Sequence, residues 1–180
     1  LGCSTGTLIH KISKRHSNKS IKLYGIDSIK EMIIQAKKEN KSLKNGNKII
    51  FQNKNINKIS ILRNDLILSY YTMQFVLPKY RQSLINKIYK SLNWGGAFIM
   101  FEKVRASDAR FQDIVSIIYN DYKLKNGFTA DEIINKTKSL KGVLEPFSDY
   151  GNLGLLKRSG FKDIIPVFQW MNFKGYLSIK

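Results

Sequence analysis

The chain begins with a small-residue turn whose composition fits two kinds of chemistry. Residues 2–6, Gly-Cys-Ser-Thr-Gly, match the pattern Gly-x-Ser-x-Gly, in which a serine on a tight turn attacks an acyl group. Such a hydrolase needs an acid and then a histidine further along the chain, but the only histidines are His10 and His16. Both follow the turn too closely to reach back to Ser4 with a third group to orient them. A dyad of Cys3 and His10 meets the same objection, so hydrolase chemistry is disfavoured.

The same turn suits a nucleotide. A strand that leads into a tight turn and then into a helix N-terminus lets backbone N–H groups approach a nucleotide closely. In such sites an acid at the end of the next strand accepts the two ribose hydroxyls. Asp27 lies about 20 residues after Gly6, which is the spacing expected for that acid. The alternative is that Asp27 only caps the helix that follows.

The sequence offers few other groups for catalysis. Glu102 lies at the carboxyl end of a predicted central strand, where open α/β sheets bind ligands. Lys103 is its neighbour, and we expect the two side chains to form an ion pair. No pair of carboxylates and no set of Cys and His stands out, so we predict neither a general acid–base pair nor a metal site.

Strand and helix patterns alternate over the first hundred residues, which predicts a parallel sheet covered by helices. The last two strands are joined too tightly for a crossover helix and must therefore pair antiparallel. We expect capping boxes at Ser28 with Glu31 and at Thr129 with Glu132. The predicted strands are 21–26, 48–52, 65–69, 97–102, 162–170 and 172–179, and the predicted helices include 7–15, 107–124, 129–140, one from Pro78 and one ending at Gly160.

Length and composition limit the class of protein. The chain has 180 residues, of which 43% are hydrophobic, so we expect one globular domain over residues 1–180. A single Cys and the lack of a secretory signal favour the cytoplasm, and no apolar stretch is long enough for a membrane span. Leu1 and Gly2 are typical of a strand entering a turn, so we expect an N-terminal segment and part of the first strand to precede them.

The net charge of +18 has two explanations. A strongly basic chain is typical of proteins that bind nucleic acid or an anionic membrane. However, the chain is also rich in Ile and Asn, which share A/T-rich codons with Lys, and its lysines are scattered rather than clustered. Skewed base composition is therefore the favoured explanation.

Several motifs together resemble a known family. Residues 1–4, 25–27 and 72–75 are similar to class I S-adenosylmethionine-dependent methyltransferases. Further motifs follow in order without a gap: Arg81-Gln-x-Leu-x-x-Lys-Ile-Tyr89, Leu92-Asn-x-Gly-Gly-Ala97, Glu102-Lys103, Asp121-Tyr-Lys with Asn126-Gly127, Ser159-Gly-Phe161 and Phe168-Gln-x-x-Asn-Phe173. Over residues 1–180 this series resembles the carboxy-S-adenosyl-L-methionine synthase family. The resemblance implies a Rossmann-like, mostly parallel sheet of seven strands with helices on both faces and a C-terminal antiparallel hairpin.

The resemblance also implies a reaction. Members of the family convert S-adenosyl-L-methionine and prephenate into carboxy-S-adenosyl-L-methionine and phenylpyruvate. A separate tRNA carboxymethyltransferase then uses the product on the wobble uridine of tRNA, so the synthase itself need not bind nucleic acid stably. The family further implies a homodimer and no metal. Its site must hold a sulfonium cation, exclude water and place a cation near the new carboxylate.

Five positions of the family's cofactor site fall near the start of the chain. Gly2, Cys3 and Ser4 occupy the cofactor turn, and Asp27 occupies the position of the ribose-binding acid. Ser28 replaces the Asn that usually follows this acid.

The remaining positions of the family's site depart from its pattern. The Asp-Ile pair beside the adenine becomes Asn55-Ile56, and an Asn near the cofactor becomes Tyr70. The Arg that binds the cofactor's carboxylate becomes Thr137, with Lys138 as a possible substitute. Lysine is a point charge that cannot reproduce the bidentate contact of arginine.

These departures leave three functions open. The protein is a working synthase, an ordinary methyltransferase that acts on tRNA or a small molecule with S-adenosyl-L-methionine, or a non-catalytic basic RNA-binding or scaffold protein. The favoured prediction is the synthase.

Overall fold

The computed structural model describes residues 1–17, 19–40 and 46–180. It divides into two units, residues 1–61 and residues 62–180, and each unit contains one sheet. The single domain expected from the length of the chain stays a prediction.

The first unit pairs two parallel strands. Its elements are α1 (Thr7–Arg15), β1 (Lys22–Asp27), α2 (Lys30–Glu39) and β2 (Lys48–Asn53). In the register of the two strands Asp27 lies opposite Asn53, so both strands end at the same edge. Ile33 and Ala36 of α2 pack with Phe51 of β2 to form the core of this unit.

The second unit carries a mixed sheet. Its elements are β3 (Asn64–Tyr70), a single 3-10 turn (Met73–Phe75), α3 (Pro78–Ser91), β4 (Leu92–Lys103), α4 (Ala109–Lys125), α5 (Ala130–Leu140), α6 (Asp149–Ser159), β5 (Asp163–Trp170) and β6 (Phe173–Ile179). The strand order is β3-β4-β6-β5. β3 and β4 run parallel, whereas β6 runs antiparallel to both β4 and β5.

The expected sheet is corrected in part. The C-terminal antiparallel hairpin is confirmed, since β5 and β6 pair from Asp163 opposite Ile179 to Trp170 opposite Phe173. The sheet of seven mostly parallel strands is wrong for the described residues, which form separate sheets of two and four strands. Because β6 lies between β4 and β5, antiparallel pairs are as numerous as parallel pairs.

Local signals place most of the helix ends. Pro78 opens α3, the capping box of Thr129 and Glu132 opens α5, and Gly160 closes α6 in the left-handed region. The capping box expected at Ser28 is wrong, because α2 begins later and Ile29 is its N-cap.

Gly25 brings β1 close to its neighbours in the first unit. A Cβ atom at this position would lie 2.5 Å from Phe51 Cδ1 and 2.7 Å from Ile9 Cδ1. Such distances are shorter than a carbon–carbon contact allows, so only glycine fits without movement. The close packing fixes β1 two residues before Asp27.

We expect Gly25→Ala to lower the free energy of unfolding by about 1–3 kcal/mol, because the added methyl group overpacks this core. Gly46→Ala is the matched control, since its Cβ would meet only the backbone oxygen of Lys19, at 4.0 Å. Urea denaturation of both variants measures the difference. Equal stability of the two variants would contradict the packing argument.

Candidate functional site

The N-terminal turn is held against the end of β1. The Cys3 N–H donates to the Ile26 carbonyl at 3.0 Å, and the Gly6 N–H donates to the Cys3 carbonyl at 2.9 Å. Gly2, Ser4 and Gly6 all have positive φ values, of 61°, 48° and 78°. Glycine adopts this conformation freely, whereas serine does so rarely, which makes Ser4 a strained position typical of binding sites.

Asp27 joins the turn, β2 and the start of α2. Its Oδ2 accepts the Ser4 N–H at 2.8 Å and its Oδ1 accepts the Ile29 N–H at 3.0 Å. Its carbonyl accepts the Asn53 amide at 3.1 Å and the Lys54 N–H at 2.9 Å. A carboxylate has about four acceptor sites, so two remain after these bonds. The half-buried Asp27 therefore fixes the residue that begins α2 through the Ile29 N–H, and it retains the acceptors that a ribose needs.

The two side chains of the turn that could act as nucleophiles are not activated. Ser4 Oγ donates to the thioether of Met32 at 3.5 Å, rather than to an imidazole. Burial raises the pKa of the Cys3 thiol to about 11, which keeps it protonated near neutral pH. The geometry of the turn therefore supports binding rather than nucleophilic attack.

The other expected cofactor residues of the first unit follow the same strand ends. Ser28 is exposed directly after β1. Asn55 follows β2 and is exposed, with its Oδ1 accepting the Asn57 N–H at 2.9 Å. Ile56 is half-buried beside it. The structure thus brings Asp27, Ser28, Asn55 and Ile56 to the edge where both parallel strands end.

Two tyrosines lie at the carboxyl end of β3 in the second unit, Tyr70 as its last residue and Tyr71 directly after it. The side chain of Tyr70 is 52% exposed, and its ring centroid lies 4.5 Å from that of Tyr71. Tyr71 has a φ of 53°, an uncommon value for a bulky residue, and its N–H donates to the Phe101 carbonyl at 2.8 Å. This strained backbone places two aromatic rings at the carboxyl end of β3.

Glu102 holds the loop that follows β3. Its side chain is 2% exposed, and its Oε1 and Oε2 accept the N–H groups of Met73 and Gln74 at 2.9 and 2.8 Å. The ion pair expected between Glu102 and Lys103 is therefore wrong, because the carboxylate bonds to the buried backbone instead. Glu102 is a positioning residue for residues 73–75.

A buried arginine completes the same network. Arg81 is 2% exposed and donates to the carbonyls of Val76, Gln74 and Glu145 at 2.8, 3.2 and 2.6 Å. Gln74 Oε1 in turn accepts the Lys103 N–H at 2.9 Å. Sequence reasoning missed the role of Arg81, although a charged residue on the apolar face of α3 was the available signal.

Burial sets the charge of this network. It raises the pKa of Glu102 to about 8, against the opposing effects of the two backbone N–H groups and of Arg81. Burial also lowers the pKa of Arg81, and the charge of Glu102 opposes that shift. Arg81 and the two backbone N–H groups thus offset only part of the cost of burying Glu102 in its charged form.

The two residues expected to replace the family's arginine lie on α5. Thr137 and Lys138 are both exposed, and Thr137 Oγ1 donates to the Ile133 carbonyl of its own helix at 2.8 Å. A role for Lys138 in binding a carboxylate stays a prediction. Within residues 1–17, 19–40 and 46–180 no group of His, Cys, Asp and Glu is arranged to hold a metal ion.

Comparison with known proteins identifies the family. A family model described as a methyltransferase domain matches residues 1–96. The carboxy-S-adenosyl-L-methionine synthase of Campylobacter lari is 38% identical over 180 residues, which cover 100% of this chain and 75% of that protein. This chain belongs to the carboxy-S-adenosyl-L-methionine synthase family. The synthase resemblance drawn from the motifs of residues 1–173 is thereby confirmed.

Solved structures agree on the fold of this synthase family member. A S-adenosylmethionine-dependent methyltransferase from Methanosarcina mazei superposes with a TM-score of 0.69 at 17% identity, over 99% of this chain and 89% of that chain. Human N-acetylserotonin methyltransferase, solved in complex with S-adenosylmethionine, gives 0.66 at 16% identity, over 100% of this chain and 46% of that chain. The Rossmann-like methyltransferase fold is confirmed.

The raised pKa of Glu102 predicts how stability depends on pH. The folded protein binds this proton more tightly than the unfolded chain, so the free energy of unfolding falls as pH rises from the ordinary value of 4.5 to about 8. Glu102→Gln cannot titrate and should lack this part of the dependence. Urea denaturation of both proteins from about pH 5 to about pH 8 measures it. Parallel curves for the two proteins would show that Glu102 has an ordinary pKa.

Proposed function

We propose that the protein is a carboxy-S-adenosyl-L-methionine synthase, which converts S-adenosyl-L-methionine and prephenate into carboxy-S-adenosyl-L-methionine and phenylpyruvate. The observation that carries this proposal is the 38% identity to a named synthase across the entire chain. The methyltransferase fold supports the nucleoside half of the reaction.

The first unit supplies the groups that bind the nucleoside in this proposal. The turn of Gly2, Cys3 and Ser4, in which Gly2 and Ser4 have positive φ, offers backbone contacts. Asp27 accepts hydrogen bonds from the ribose hydroxyls with its two remaining acceptor sites. Asn55 and Ile56 bracket the adenine, with the Asn55 amide in place of a carboxylate. The bound cofactor supplies the methyl carbon that receives the carboxyl group.

The second unit offers further groups for ligands in this proposal. Tyr70 lies at the carboxyl end of β3, and its exposed ring provides an apolar surface there. Lys138 provides the cation for a carboxylate, since Thr137 carries no charge and its hydroxyl donates to the Ile133 carbonyl of its own helix. No acid–base pair is required, in keeping with the role of Glu102 as an anchor for backbone.

We further propose that the protein acts as a homodimer in the cytoplasm. α4 has no buried residue, and its exposed apolar side chains offer a surface for a second copy. These side chains are Phe111, Ile114, Ile117, Ile118, Tyr122 and Leu124. No helix in the described part of the chain combines the length and the apolar content that crossing a bilayer requires.

The proposed product defines the pathway partner. A tRNA carboxymethyltransferase would consume carboxy-S-adenosyl-L-methionine at the wobble uridine, so the synthase needs no stable contact with nucleic acid. Its net charge of +18 then reflects composition rather than a tRNA-binding surface.

Incubation of the purified protein with S-adenosyl-L-methionine and prephenate tests the reaction. We expect carboxy-S-adenosyl-L-methionine and phenylpyruvate to accumulate in equal amounts, as measured by liquid chromatography and mass spectrometry. A reaction without prephenate is the control. Methyl transfer to an added tRNA or small molecule, with no carboxylated product, would instead indicate an ordinary methyltransferase.

We expect Asp27→Asn to weaken the binding of S-adenosyl-L-methionine by about 1–3 kcal/mol, because the ribose loses charge-assisted hydrogen bonds. Asparagine keeps one oxygen acceptor, and a thermal melt shows whether the variant remains folded. Glu31→Gln, which removes an exposed carboxylate from the same unit, is the matched control. Calorimetric titration giving the wild-type affinity for Asp27→Asn would rule out the ribose contact.

A further inference from the structure

Two lysines from different elements face one tyrosine ring in the second unit. Lys103 Nζ, from the end of β4, lies 5.4 Å from the centroid of the Tyr119 ring. Lys123 Nζ, one helical turn after Tyr119 on α4, lies 4.6 Å from the same centroid. A lysine one turn from a tyrosine on the same helix is common. The second lysine comes from the sheet, so only the tertiary fold places it at this ring.

Within the part of the chain that the structure describes, neither lysine forms an ion pair, since the ion pair found there joins Lys174 and Asp149. The adjacent carboxylate of Glu102 bonds to the backbone of Met73 and Gln74. Burial lowers the pKa of both lysines, and the charge of Lys123 lowers the pKa of Lys103 further. Two partly buried cations around one ring repel each other, and a bound anion would offset that repulsion.

Further aromatic side chains surround the Tyr119 ring that the two cations face. The Tyr119 ring centroid is 5.3 Å from that of Phe173 and 6.2 Å from that of Trp170. The Tyr71 ring centroid is 5.6 Å from that of Phe173. The surroundings therefore suit an anion that carries an apolar ring, rather than a small hydrated ion.

We propose that Lys103 and Lys123 bind the two carboxylates of the ring-bearing organic dianion that the reaction consumes, with Tyr119 packed against its ring. This inference rests on the proposed function, which makes prephenate that dianion. The place in the fold agrees, because Lys103 ends β4 at the edge where open α/β sheets bind ligands. The Lys103 N–H donates to Gln74 Oε1 at 2.9 Å. The loop that Glu102 anchors therefore also positions Lys103.

Three charge-removing variants of the full chain test the inference. Lys103→Gln and Lys123→Gln should each raise the KM for prephenate at least about tenfold, since each loses a charge-assisted hydrogen bond. Both should keep the wild-type KM for S-adenosyl-L-methionine. Lys125→Gln, which removes an exposed charge from the same helix, should behave as the wild type and controls for net charge.

Calorimetric titration of prephenate into the same proteins separates this inference from the proposed function. If the wild type forms carboxylated product and both variants keep its KM, the lysine site is wrong although the function stands. If the wild type forms no product but binds prephenate, and both variants lose that binding, the function is wrong although the site stands. No binding of prephenate to the wild type would overturn the site, as would equal weakening in Lys125→Gln.

Discussion

The buried side chain of Glu102 makes the interaction on which the carboxyl edge of the sheet in the second unit depends. It pairs with two backbone N–H groups of the loop after β3, at Met73 and Gln74. Through Gln74 the same loop is tied to the backbone of Lys103 and to the guanidinium of Arg81. A buried carboxylate is costly unless each of its oxygens is bonded, so the loop and the strand end fix each other. One buried group thereby positions both the aromatic rings and the lysine of this edge.

In the first unit a half-buried acid, Asp27, holds backbone segments together in a similar way. Asp27 ties the N-terminal turn to the start of α2, and the absence of a side chain at Gly25 lets β1 pack against Phe51 just before it. β1 therefore fixes the position of Asp27, and Asp27 bonds to the N-terminal turn, in which Gly2, Ser4 and Gly6 adopt positive φ values. Preorganised backbone of this kind suits the binding of a nucleoside more than nucleophilic chemistry, which the protonated Cys3 thiol also disfavours.

Local sequence signals predicted much of this structure, because capping and turn residues act over a few positions. Pro78, Thr129 and Gly160 mark helix ends correctly. The prediction of a seven-stranded sheet was wrong for the described residues, since strand order depends on long-range contacts that no short motif encodes. The predicted ion pair between Glu102 and Lys103 was wrong for a related reason. Lys103 is the neighbour in sequence, but a buried carboxyl group needs hydrogen-bond donors within the core, which the backbone N–H groups of Met73 and Gln74 provide.

The cofactor residues proposed from the family motifs stay a prediction, and the structure groups those of the first unit at one edge. Neither periodicity nor motifs could show that Lys103 and Lys123 both face the ring of Tyr119, because the two lysines lie on a strand and a helix that meet only in the folded unit.

Mass spectrometry of the small molecule released by denaturing the purified protein tests the proposed synthase function most directly. We expect the released molecule to have the mass of carboxy-S-adenosyl-L-methionine. Release of S-adenosyl-L-methionine alone would contradict it.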